Sequence, residues 1–87
     1  MKLNGDFIMR EVVGEYVLVP VGETALKFNG IISLNDVGAE IWKGLQCGEE
    51  KEVLLERVLS GFEVSREEAE QDLEEFLQML RKNDLIQ

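Results

Sequence analysis

Between Glu67 and Glu75 six carboxylates fall within nine residues, EEAEQDLEE, and they are the densest chemistry-bearing groups in the chain. Acid–base catalysis needs two carboxyl groups held in a shaped cavity whose surroundings drive their pKa values apart. Here the 3.6-residue period spreads Glu67, Glu68, Glu70, Glu74 and Glu75 over the polar side of an amphipathic helix, where a carboxylate is simply solvated. Asp72 differs. Steps of three, four and seven residues carry it to Glu75, Phe76 and Met79, so it lies on the border between the apolar and polar faces. That position suits ligand contact, although a carboxylate in the first half of a helix also complements the helix dipole.

The remaining inventory is short. There is no His and one Cys, Cys47, which excludes an imidazole base, a His-ligated metal, a thiolate cluster and an internal disulfide. No glycine loop of the phosphate-cradling kind occurs. We expect no catalytic residue, no metal and no cofactor, hence no enzyme. With 87 residues and a hydrophobic fraction of 45%, the chain can build one small core, a single domain over 1–87. A net charge of −9 opposes nucleic acid and anionic membranes. The absence of a signal-like or ~20-residue apolar run, with the lone thiol, makes the cytoplasm the expected location.

Stretches of apolar periodicity give the elements that would position these groups. FIMREVV at 7–13 and YVLVP at 16–20, parted by Gly14-Glu15, predict a hairpin. Phe7, Met9 and Glu11 should share one face with Tyr16 and Leu18, and Ile8, Arg10 and Val12 the other with Val17 and Val19. The second strand is apolar on both faces and should be central. VGETA at 21–25 predicts a loop, and LKFNGIIS at 26–33 a third strand with Phe28, Ile32 and Leu34 on one face and Lys27, Asn29, Ile31 and Ser33 on the other.

Asn35 is a good N-cap, Asp36 suits the positive end of the helix it opens, and Leu34 with Ala39 occupy the positions of a hydrophobic staple. Val37, Ile41, Trp42 and Leu45 form that helix's apolar face, and Gly38 in its first turn should admit a close neighbour. A second helix is predicted over 49–60 with Val53, Leu54, Val58 and Leu59 inward. A third opens on the capping box of Ser65 and Glu68, stapled by Val64 and Ala69, and buries Ala69, Leu73, Phe76, Leu77 and Leu80. Asn83 is its predicted left-handed cap, with Leu85 and Ile86 folding back on the core.

The order is an α+β fold: an N-terminal three-stranded antiparallel sheet followed by a three-helix bundle, winged helix-turn-helix-like. A DNA-binding transcription regulator of winged-helix type is the alternative reading, but its reading helix would carry mainly acid. The third strand, if a sheet edge, either is blunted by Lys27 and its own shortness or receives an extended peptide by strand addition, and it could equally pair with a second copy as a homodimer.

Three blocks in order, VLVPVG at 17–22, FNGIISLNDVGAEIW at 28–42 and EVSREEAEQDLEEFLQMLRKNDLI at 63–86, resemble the PqqD-like family. The resemblance implies a RiPP recognition element, which captures the leader segment of a ribosomally made precursor peptide and presents it to a modifying enzyme, often a radical SAM protein. It implies main-chain pairing along Lys27, Phe28, Asn29, Gly30, Ile31 and Ile32, and a wall of Asp72, Glu75, Phe76 and Met79. Asp72 matches the family aspartate; the other wall positions follow from helical geometry. Asp84 stands where the family usually has Gly.

Overall fold

The computed structural model describes residues 1–87. Strands β1 (Phe7–Val12) and β2 (Glu15–Pro20) form the hairpin, followed by a single turn of helix, α1 (Thr24–Lys27), and the short strand β3 (Ile32–Leu34). Helices α2 (Asp36–Gln46), α3 (Lys51–Gly61) and α4 (Arg66–Lys82) complete the chain. The sheet order β1-β2-β3 puts β2 in the centre, as its two apolar faces predict, and both pairings are antiparallel.

The hairpin turns one residue earlier than expected, at Val13-Gly14, with Val12 opposite Glu15 and Arg10 opposite Val17. Both turn residues have positive φ, 51° and 80°, the backbone of the tight turn that matches strand twist. Moving the turn by one residue moves the register by two, so parity is kept and the predicted faces hold. Phe7 and Leu18 are buried beneath the sheet, while Val12 and Val13 lie exposed at the tip.

The third strand differs most from expectation, and Pro20 explains why. Val12 and Glu15 close a two-residue loop, so hydrogen-bonded pairs alternate from there and Val17 directs its main chain to β1. Tyr16 and Leu18 must then bond β3, through their partners Leu34 and Ile32. The next bonded pair would join Pro20 to Gly30, and Pro20 has no N–H to give. The ladder therefore stops at Ile32. Residues 24–27, read as loop and strand start, instead form α1, with the N–H groups of Ala25, Leu26 and Phe28 donating to Gly22, Glu23 and Thr24 carbonyls. Lys27 is thus helical, and Phe28 is the cap rather than a strand residue. Leu26 is 87% exposed, whereas the alternation from Phe28 to Leu34 is as predicted.

The helices follow their local signals. Gly38 N–H donates to Asn35 Oδ1 at 2.8 Å, capping α2, and Glu68 N–H donates to Ser65 Oγ at 3.1 Å, capping α4. Leu34 and Ala39 are both buried, as a staple requires. In α3 the inward set is Leu54, Leu55 and Val58; Val53, expected inside, is 47% exposed. The expected left-handed cap at Asn83 shifts one residue to Asp84, φ 64°, while Asn83 Nδ2 bonds the Met79 carbonyl. Leu85 and Ile86 fold back and are buried. An amino-terminal strap lies across them: Leu3 bridges Ile86, and Asn4 N–H donates to the Leu85 carbonyl at 2.7 Å.

Trp42 stands at the centre of the core, 1% exposed, edge-on to Phe7, which is itself edge-on to Phe28. Gly44 lets α3 close on α2, since a Cβ there would stand 2.5 Å from Leu54 Cδ2. On the same seam Arg57 bonds both oxygens of Glu49 and reaches Glu40 at 2.6 Å. No helix is long and apolar enough to cross a membrane.

Candidate functional site

The alternation that commits Ile32 and Leu34 to β2 turns the N–H and C=O of Ser33 outward, and those of Ile31 with them. The main-chain groups of Asn29, Gly30 and Ile31 bond to no other backbone group, and no side chain bonds them either. From Asn29 to Ser33 the molecule therefore presents a margin of main chain with donors and acceptors to spare, and an extended segment laid beside it would satisfy them. Of the six residues expected to pair with a guest, Asn29, Gly30 and Ile31 have free main chain. Ile32 is already bonded to Leu18, the Phe28 N–H is bonded to the Thr24 carbonyl, and Lys27 lies in α1. Ser33, part of the expected edge strand but not among those six, joins the margin; Pro20 and the hairpin register together decide which of the edge residues face outward.

Where β3 gives way to α2, a cavity of about 200 Å³ opens between the start of α2 and the middle of α4. Asp72, Glu75, Phe76 and Met79, all four expected wall residues, line it on the α4 side. Asn35, Val37, Gly38 and Ile41 line it on the other, a set that helical spacing alone does not reveal. The local reasons are plain. Asn35 is there because it caps α2, and Gly38 because a side chain would press on Phe76: a Cβ would meet Phe76 Cε1 at 3.0 Å. The close approach that Gly38 permits is thus the ring of Phe76 seating on α2.

Electrostatics at the cavity follow from which carboxylates lack cations. Glu74, facing the other way, is paired with Lys51 at 2.7 Å, and that hydrogen bond holds its carboxyl below the ordinary value. Asp72 and Glu75 form no ion pair; Glu75 accepts only from Gln71 Nε2. Half-buried Asp72 and exposed Glu75 therefore rim an apolar floor with uncompensated negative charge. No group of three or more His, Cys, Asp or Glu side chains is placed to hold a metal ion. What the arrangement can do is bind: main-chain pairing along one side, an apolar pocket at its end, and an acidic rim that selects a basic or polar guest.

Comparison with known proteins bears on this geometry. The family model for coenzyme PQQ synthesis protein D (PqqD) matches residues 15–86. Among solved structures, TbiB1 in complex with the TbiA(beta) leader peptide superposes with a TM-score of 0.76 at 25% identity, covering 100% of this chain and 95% of that one. A lasso peptide synthetase B1 complexed with the leader peptide superposes equally well, TM-score 0.76, at 22% identity over 99% and 95% of the two chains, which speaks for the fold alone. No curated protein sequence matches the chain significantly.

Proposed function

The chain belongs to the PqqD family, and from that premise we propose that it is a peptide-binding RiPP recognition module, one that captures the leader of a ribosomally made precursor peptide and hands it to a modifying enzyme. The observation that carries this reading is the free main chain of Asn29, Gly30, Ile31 and Ser33 beside the cavity under Phe76. The guest adds as a strand to the margin at Ile31 and Ser33, and one apolar side chain enters the cavity between Gly38 and Phe76. Asp72 and Glu75 face its basic residues. The module contributes no chemistry of its own; the enzyme it serves, of radical SAM type in our reading, acts on the presented segment. The whole chain acts as one domain, and a reducing cytoplasm suits its exposed, unpaired thiol. Membership of the family does not make pyrroloquinoline quinone the product.

The test is Ile31→Pro. Its N–H bonds nothing within the protein, so its loss leaves the fold intact while removing a donor the guest needs. Each such bond contributes about 1 kcal/mol, and the ring also crowds the docking strand, so titration with a cognate leader should show affinity reduced at least about tenfold with an unchanged circular dichroism spectrum. Undiminished affinity would sink strand addition at this margin.

A further inference from the structure

The free margin has two ends, and only one of them is the cavity under Phe76. At the other, Phe28 borders a larger cavity of about 600 Å³, enclosed by Asp6 of the amino-terminal strap, Glu23 and Thr24 at α1, and Asp84 beyond α4. The strap is fixed there by the Asp6 N–H, which donates to Thr24 Oγ1 at 2.8 Å. Helix α4 runs from Asp72 at one cavity towards Asp84 at the other, while the opposing segment runs back from Asn35 to Phe28. The uncommitted main chain of Asn29, Gly30 and Ile31 therefore leads from one cavity towards the other. At Gly30, φ 101°, nothing stands within 4 Å of where a Cβ would be, so that position is open.

Resting on the strand-addition reading above, we propose that the guest continues past β3 into this second cavity and places a lysine or arginine side chain there. Charge complementarity names the residue type. Asp6, Glu23 and Asp84 line the cavity and form no ion pair; one cation, Lys27, stands against the three and pairs with none of them, which leaves the cavity negative. An incoming cation balances that excess charge while its methylene stem lies against Phe28. Geometry fixes the spacing. Phe28 and Asn35 are seven residues apart, at most about 23 Å when extended, so the basic residue sits roughly six to eight positions from the one that fills the Phe76 cavity.

The test pans a phage-displayed library of random peptides, about 16 residues long to overhang the cleft. It is panned on the full chain and on the isosteric triple variant Asp6→Asn, Glu23→Gln, Asp84→Asn, whose folding is checked by thermal melting; the single variants serve should the triple one melt early. The wild type is expected to select Lys or Arg at one fixed distance from an apolar position. The variant should lose that basic preference, keep the apolar one, and bind wild-type-selected peptides about five-fold or more weakly. Selected peptides that Ile31→Pro releases but the triple variant binds undiminished overturn this proposal alone. Peptides insensitive to both overturn it together with the strand-addition reading.

Discussion

Gly38 sits where the requirements of α2 and of the cleft conflict. A glycine in the first turn of a helix costs about 1 kcal/mol relative to Ala, yet an Ala methyl would meet Phe76 at 3.0 Å and Asn35 Oδ1 at 3.3 Å. The ring must then retreat by a few tenths of an ångström, against the neighbours that hold it. In Gly38→Ala the propensity gain and the packing loss nearly cancel, so the unfolding free energy should change by less than about 1 kcal/mol. Peptide affinity should nevertheless drop several-fold, because the cavity floor is the displaced ring. Chemical denaturation and a binding titration on the same sample separate the two effects; equal affinities would mean that Phe76 does not shape the pocket.

At the level of elements, the helices were legible because their signals are local. The side chains of Asn35 and Ser65 cap where their types predict, and Ala69, Leu73, Leu77 and Leu80 recur at the helical period. The third strand was not, because its length depends on a residue in a different strand: Pro20 ends the ladder that Phe28 and Gly30 would otherwise join. The misplaced Val53 has the same origin, since a short helix with five apolar residues, Val53, Leu54, Leu55, Val58 and Leu59, leaves two possible faces and only the partner α2 decides between them. The α2–α3 seam also yields a prediction. Hydrogen bonds from Arg57 hold the Glu49 carboxyl below its ordinary value of 4.5, and the same contacts raise Arg57 further above its own. A depressed carboxyl binds fewer protons folded than unfolded, so its contribution is complete above pH 4.5 and fades as pH falls through the lower folded value. The stability difference between wild type and Arg57→Gln should therefore be largest near neutrality and shrink in acid. Urea titrations at several pH values measure it, and a difference independent of pH would show that the clamp has no proton linkage.

For the whole molecule, sign of charge separates two folds that look alike in outline. A winged helix that reads DNA neutralises phosphates with basic side chains, whereas this chain carries −9 and its longest helix exposes Glu67, Glu68, Glu70 and Glu75. Labelled duplex DNA at low salt, the condition most favourable to such contacts, should show no binding up to about 10⁻⁴ M protein, weaker than ordinary non-specific association. Saturable binding there would revive the regulator reading.

Cys47 ends α2 on the side away from the cleft, exposed, and it is the chain's sole thiol. A maleimide dye can thus be attached at one defined spot, about 18 Å of helix from Asn35, and can report guest capture without any alteration near the pocket. By the same solitude, air oxidation could only couple two copies into a covalent pair, which makes a reductant necessary whenever subunit stoichiometry is measured.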